Sequence, residues 1–168
     1  MKNKINLCLN IEKNVIKFFN YLEKYNINKV LDVGCGDSQY KDYIKCKEYI
    51  GIELQSHINE KNKFEKNTGI YNGLDVDRRK ADIFYNGKDI PFENNNFDLV
   101  FALMVIEHAD DPQKLLQEMI RVVKPNKYVL VKVPYLTPEH EIPYDFLRLT
   151  SFGLKKLFKD NNLEIIKY

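Results

Sequence analysis

Short apolar runs recur along this chain, and between them lie stretches whose apolar residues are spaced three and four apart. The runs Lys29–Val33, Glu48–Leu54, Ala81–Tyr85, Phe97–Val105, Tyr128–Val133 and Leu163–Ile166 have the length and composition of strands. Phe97–Val105 is almost entirely apolar, which predicts a strand covered on both faces, as in a parallel sheet. Helical spacing comes first at Ile11, Val15, Phe18, Phe19 and Leu22, on a helix expected from an Asn10 cap to about Tyr25. Residues 1–9 carry no firm signal, so residues 1–27 read as an N-terminal helical segment. A short helix is expected over Gln39–Lys45. Another starts at Asp111-Pro112, a cap followed by proline at the first helical position, and carries Leu115, Leu116, Met119, Ile120 and Val123 before Lys124-Pro125-Asn126 ends it. Thr150 or Ser151 caps the last, which carries Leu154, Leu157 and Phe158. Strands alternating with helices predict an α/β fold with a doubly wound, mainly parallel sheet in one domain over residues 1–168. Residues 55–80 break the pattern: they are polar and read as an insertion or loop, with a weak helix near Ile58–Lys66 and an Asn72-Gly73 turn.

The first strand runs into Gly34-Cys35-Gly36, then Asp37 and Ser38. Glycines there let the backbone turn sharply and let a ligand lie against it. Asp37 and Ser38 are expected to open a helix whose free N–H groups face the same crevice. This is the start of a nucleotide-type βαβ unit. The dinucleotide fingerprint needs a third glycine at position 39, and that residue is Gln39. Asp32, inside the strand, would repel a phosphate but suits a cationic group such as the α-amino group of a methionine moiety. Together these favour S-adenosylmethionine over NAD. Glu53 ends the second strand seventeen residues after Gly36, near the distance at which such a unit places an acid on the ribose hydroxyls. Asp75 is a rival, thirty-nine residues from Gly36 and too far for one crossover.

A formal net charge of +2 in 168 residues gives no field pointing to nucleic acid. Three cysteines, Cys8, Cys35 and Cys46, are an odd number at spacings that fit no metal site, so reduced thiols in the cytoplasm are expected and no metal is. Cys35 suits the glycine turn as a small side chain, not as a catalytic thiol. The N-terminus has no continuous apolar segment, and Leu99–Ile106 is too short to cross a bilayer, so neither a signal peptide nor a membrane role is expected. Asp98 is expected to be structural. Glu107-His108 follows the strongest strand, at the end where open α/β sheets bind ligands. Residues 134–148 form a loop rich in functional types: His140, Glu141, Tyr144, Asp145 and Arg148.

The ordered motifs V-L-D-V-G-C-G (30–36), Y-I-G-I-E (49–53), A-D-I-F-Y-N-G-K-D-I-P-F (81–92), F-D-L-V (97–100), V-I-E-H (105–108), R-V-V-K-P (121–125) and H-E-I-P-Y-D-F-L-R-L-T (140–150) resemble the class I S-adenosylmethionine-dependent methyltransferases, type-11 methyltransferase-domain group. The resemblance covers Lys29 to the C-terminus and implies a Rossmann-like sheet with S-adenosylmethionine as cofactor and S-adenosylhomocysteine as product. By it, Asp32, Gly34, Cys35 and Gly36 line the methionine end and Glu53 holds the ribose. The turn at Asn86 and Gly87 meets adenine. Asn86 stands where relatives often have aspartate, and its amide oxygen can still accept a hydrogen bond. Leu103 and Met104 lie near the sulfonium. The last motif resembles a subgroup associated with surface-polysaccharide and other glycan pathways. The family sheet normally carries a seventh, antiparallel strand beside strand five, and none follows Tyr168. Either the chain is short there, or an edge is left for a partner strand or a homodimer.

Methyl transfer from a sulfonium is an in-line displacement in which the protein positions the reactants. For a hydroxyl acceptor, His108 and His140 are candidate bases or acceptor contacts, since neutral imidazole is available near pH 7. Tyr144, Asp145 and Arg148 could bind a polar or anionic acceptor, or Asp145 and Arg148 could simply pair. The reading is O-methylation of a small-molecule or sugar-containing acceptor. Its alternatives are a non-catalytic subunit completed by a partner, an NAD-dependent oxidoreductase, and transfer of another group from a related sulfonium, which would want more acids than the loop 134–148 offers.

Overall fold

The computed structural model describes residues 4–7, 11–55 and 80–166. The expected helix near Ile58–Lys66, the Asn72-Gly73 turn, Asp75 and the Asn10 cap lie outside these residues. Seven strands form one sheet: β1 (Lys4–Leu7), β2 (Lys29–Val33), β3 (Glu48–Leu54), β4 (Ile83–Tyr85), β5 (Phe97–Leu103), β6 (Val123–Lys132) and β7 (Glu164–Ile166). Their order is β4-β3-β2-β5-β6-β1-β7. Every pairing among the described residues is parallel. The strand order reverses between β2 and β5, and ligands bind outside the carboxyl ends of strands at such a reversal.

Successive residues of a strand face opposite sides, and both sides of this sheet are covered. Val30, Leu99, Phe101 and Leu130 pack with helix α1 (Ile11–Leu22), whose Val15, Phe18, Phe19 and Leu22 are buried at the predicted spacing. Leu31, Val100, Ala102, Val129 and Val131 pack on the other side with helices α2 (Pro112–Val122) and α3 (Ser151–Asp160). Each fully buried side chain of this size contributes about 1.5–3 kcal/mol. The predicted caps are in place: Asp111 Oδ1 accepts from Lys114 N at 2.9 Å, and Thr150 Oγ1 accepts from Gly153 N at 3.0 Å. Asp98 is structural, as expected: its Oδ2 accepts from Asn28 N at 2.9 Å and Lys29 N at 3.1 Å, and its Oδ1 accepts from Lys124 Nζ at 3.0 Å.

Three features depart from the sequence reading. The N-terminal segment is not only helical. It begins with β1, which pairs on one side with β6, Ile5 opposite Val129, and on the other with β7, Ile5 opposite Ile165. The place beside the fifth predicted strand is therefore filled by the chain's own N-terminal strand, in parallel sense, and β7 is the outer strand at that end of the sheet. The helix expected over Gln39–Lys45 is a series of turns with one 3-10 turn, Lys41–Tyr43. The strongest strand stops at Leu103, not Val105: Met104 takes a left-handed backbone, φ +60°, and its N–H donates to Lys132 O at 2.8 Å. No helix among the described residues is long and apolar enough to cross a membrane.

Candidate active site

The glycine turn is held against β3. Gly34 N and Cys35 N both donate to Ile52 O, at 2.9 and 3.1 Å, and Gly36 N donates to Glu53 Oε2 at 3.0 Å. These three amides are engaged by β3, so they do not form the free nest that a pyrophosphate requires. Gly34 has φ +69°, and a Cβ there would sit 2.5 Å from Val105 Cγ2. At Gly51 in β3 a Cβ would lie 2.8 Å from Cys35 Sγ, so that glycine makes room for the turn to lie down. Cys35 is buried in this contact, and burial pushes its thiol up to about 12, which fits a packing role.

Glu53 is 3% exposed. Its Oε1 accepts from Leu54 N at 2.9 Å while Oε2 holds Gly36 N. Asp32 lies deeper than its predicted role suggests: it is 2% exposed and accepts a hydrogen bond from the Tyr49 hydroxyl. Burial raises its pKa well above the ordinary value, with the Glu53 charge adding to the rise and Tyr49 opposing it. Tyr49 was not singled out from sequence; its position in Y-I-G-I-E, two residues before the Gly51 that pairs with Asp32, was the available signal.

The turn after β4 differs from expectation in one atom. Asn86 Oδ1 accepts from Lys88 N at 2.9 Å and Asp89 N at 3.1 Å. Both its lone pairs close the turn, so the predicted acceptor for adenine is already occupied. Gly87 has φ +77°, which suits glycine. Leu103 is buried at the end of β5, and Met104 follows in its left-handed backbone. This conformation is rare outside glycine and clusters at functional sites.

Beyond β5 the chain makes a 3-10 turn, Ile106–His108. The loop 134–148 returns over it, Phe146 N donating to Glu107 O at 2.9 Å. This brings His140 against His108, ring centroids 4.9 Å apart and edge to face. His108 Nδ1 lies 2.8 Å from Tyr144 O; a carbonyl only accepts, so Nδ1 carries the proton. Burial lowers the pKa of His108, so the ring is neutral near pH 7. His140 Nδ1 lies 3.2 Å from Asp145 Oδ2 and 3.3 Å from Pro138 O, two acceptors for a proton on this nitrogen. Arg148 Nη2 stands 3.4 Å from the same nitrogen, the longest of the three contacts.

Asp145 and Arg148 are brought together as a pair. Arg148 donates through both Nη atoms to the two oxygens of Asp145, and Asp145 Oδ2 also accepts from His140 N at 2.9 Å. The Arg148 hydrogen bond holds the Asp145 carboxyl down at about 2. Their first effect is to orient His140. Tyr144 enters through its backbone, accepting from His108. Sequence reading placed Glu107 at the ligand-binding end of the strongest strand without giving it a role: it is 1% exposed, neither of its oxygens has a hydrogen-bond partner among the described residues, and burial pushes its carboxyl up to about 8.

Known proteins resemble this chain in sequence and in fold. A family model described as a methyltransferase domain matches residues 31–131, more than half of the chain. An uncharacterized methyltransferase of Schizosaccharomyces pombe is 32% identical over 120 residues, covering 67% of this chain and 42% of that protein. The chloroplastic tocopherol O-methyltransferase of Arabidopsis thaliana is 32% identical over 112 residues, covering 65% of this chain and 31% of that protein. The chain thus spans less than half the length of these curated relatives. Among solved structures, a SAM-dependent methyltransferase from Aquifex aeolicus superposes with a TM-score of 0.55 at 20% identity, over 90% of this chain and 88% of that one.

Proposed function

The chain belongs to the methyltransferase-domain family, whose cofactor is S-adenosylmethionine, and from that premise we propose that it O-methylates a small-molecule or sugar-containing acceptor. The observation that carries this reading is the site's division into two halves. One is a glycine turn backed by a buried carboxylate. The other is a pair of part-buried imidazoles after the next strand in space. Glu53 would hold the ribose, Gly34 to Gly36 would form the floor of the methionine end, and Asp32 beneath them would attract the α-amino group. The Gly87 backbone and the Asn86 amide nitrogen are the donors left for adenine. The cofactor supplies an electrophilic methyl group on a positively charged sulfur. Leu103 and Met104 border the place where the acceptor approaches. The acceptor oxygen forms the new bond to the methyl carbon as the carbon–sulfur bond breaks, and its proton leaves toward the histidine cluster, where neutral His108 can take it. O-directed chemistry and a glycan-related acceptor rest on these histidines and on the H-E-I-P-Y-D-F-L-R-L-T motif. Curated relatives include C-methyltransferases as well. A cytoplasmic site fits the reduced thiols of Cys35 and Cys46.

The test is calorimetric titration with S-adenosylhomocysteine, with NAD as control, on wild type, Asp32→Asn and Glu53→Gln. Saturable binding of the first ligand alone is expected, weakened by Glu53→Gln about 10–100-fold, the range for losing hydrogen bonds to a charged group. Absence of saturable binding at high micromolar concentration overturns the reading. Binding followed by methyl transfer to a panel of hydroxyl acceptors, lost in His108→Asn, establishes the O-directed part.

A further inference from the structure

Glu107, His108 and His140 come from two chain segments, yet they offer one ligand atom each, all within 4.8 Å of one another. Glu107 Oε1 stands 3.8 Å from His108 Nε2 and 3.8 Å from His140 Nε2. Ligand atoms about 2.0–2.2 Å from a single divalent cation stand roughly 3–3.6 Å apart, so the two Glu107 pairs close by a few tenths of an ångström, and the two imidazole nitrogens, within 4.8 Å of each other, by about 1–2 Å at most. A second, independent observation points the same way. The Glu107 carboxyl is 99% buried and without a hydrogen-bond partner among the described residues, a costly arrangement unless something arrives to pair with it.

The imidazoles are also set in the correct tautomer. His108 Nδ1–H points to the Tyr144 carbonyl, and His140 Nδ1 lies 3.3 Å from the Pro138 carbonyl and 3.2 Å from the Asp145 carboxylate. Each ring therefore turns its lone-pair nitrogen, Nε2, to the Glu107 side. Carboxylate and carbonyl partners on the far nitrogen are the usual outer supports of metal-binding histidines. Arg148 in turn fixes Asp145.

We infer that Glu107, His108 and His140 form a two-histidine, one-carboxylate site for a divalent first-row transition cation such as Zn2+, Mn2+ or Co2+. Three protein ligands leave coordination positions open. Resting on the proposed methyl transfer, the open positions face the acceptor and take its oxygen. With the cation bound, both imidazoles act as ligands and not as bases. The coordinated hydroxyl releases its proton to water, and its oxygen then attacks the methyl carbon as the carbon–sulfur bond breaks. The link to the cofactor half is physical: the chain leading to Glu107 passes Val105, whose methyls touch Gly34.

The test uses the full chain, stripped with a chelator and titrated with Zn2+, Mn2+ or Co2+ alone, with bound metal quantified after dialysis. One cation per chain is expected. Glu107→Gln, His108→Asn and His140→Asn should each weaken binding at least tenfold, and Asp145→Asn about tenfold through the orientation of His140. Circular dichroism checks that each variant is folded. Should Glu107→Gln not fold, the visible spectrum of the wild-type Co2+ form decides. Ligand-field bands without a thiolate charge-transfer band support the site, and a thiolate band places the metal on cysteine and overturns it. Absence of stoichiometric uptake, or unchanged affinity in the folded variants, also overturns it. S-adenosylhomocysteine binding, measured on the same metal-free samples, separates the two proposals. Binding without metal uptake defeats the cation site alone, and uptake without S-adenosylhomocysteine binding defeats the methyl-transfer reading alone.

Discussion

Gly34→Ala is the perturbation whose cost can be worked most directly from the structure. A Cβ at this position would lie 2.5 Å from Val105 Cγ2, 3.0 Å from Val105 Cγ1 and 3.4 Å from Val105 Cβ. Carbon atoms at rest stand about 3.5–4.0 Å apart, so one side must move by about 1 Å. Val105 is branched at Cβ, and a small rotation that withdraws one methyl advances the other. Overpacking of this kind costs about 1–3 kcal/mol. The backbone at Gly34 adds a separate cost, because φ is +69° and alanine there loses about 1–2 kcal/mol. Gly34→Ala should therefore destabilise by about 2–5 kcal/mol. Val105→Ala removes both methyls and should itself cost about 1–3 kcal/mol. In that background the steric part disappears, and Gly34→Ala should cost only the backbone part, about 1–2 kcal/mol. Urea unfolding of the four proteins, followed by circular dichroism, closes the double-mutant cycle, with a coupling of about 1–3 kcal/mol in favour of the double variant. Strictly additive costs would refute the contact, and a Gly34→Ala protein within about 0.5 kcal/mol of wild type would refute both parts of the reasoning.

Two further predictions concern the frame that carries the site. Arg121 donates to both oxygens of Glu118, at 2.8 and 2.7 Å, to Phe92 O at 2.7 Å, to Asn94 Oδ1 at 2.9 Å and to Ile90 O at 2.8 Å. A lysine has three donors and no fork, so Arg121→Lys should cost about 2–4 kcal/mol in urea unfolding, and unchanged stability would refute the role. Burial raises the pKa of Asp98, but hydrogen bonds from Asn28 N, Lys124 and Lys29 N outweigh it and hold the carboxyl below its ordinary value. A depressed folded-state pKa contributes stability above the unfolded value of about 4 and loses it as pH falls through the folded value. Asp98→Asn should thus be less stable than wild type at pH 7, and the gap should narrow below about pH 4. A gap that stays constant down to pH 3 would count against this account.

The parts of the fold legible in the sequence are those whose signal is local. Helix α1 shows its buried face as Val15, Phe18, Phe19 and Leu22 at spacings of three and four, and α2 announces its start with Asp111-Pro112. Strand β5 is buried along its whole length, and a run that is apolar but for Asp98 says so in advance. Strand β1 has no comparable mark. Four residues, K-I-N-L, are too few for a period to show, and their pairing with Tyr128–Val131 lies more than a hundred residues away. After Gly36, Asp37 and Ser38 look like helix caps, yet Ser38 adopts φ +62°, which no helix start does. Its N–H instead closes a turn on Cys35 O at 2.8 Å, and local cap chemistry gives way to the close approach of the turn to Gly51.

The two halves of the site differ in the same way. Gly34, Gly36 and Glu53 belong to one contiguous strand–turn–strand unit, and a fixed spacing along the chain becomes a hydrogen bond of 3.0 Å in space. The acceptor half depends on the loop 134–148 folding back over the 3-10 turn after β5. That return buries Glu107, and without it the residue would be a solvated acid following an apolar run. Asp145 and Arg148 could be named from sequence as functional types. That they pair with each other and hold His140, instead of standing ready for an anion, depends on which acceptor Arg148 reaches first, and three residues along an irregular loop do not fix that. A buried carboxyl facing two imidazole nitrogens at 3.8 Å is a property of the closed loop. It is also what turns two histidines, each weighed singly in the sequence as a base, into one candidate coordination sphere.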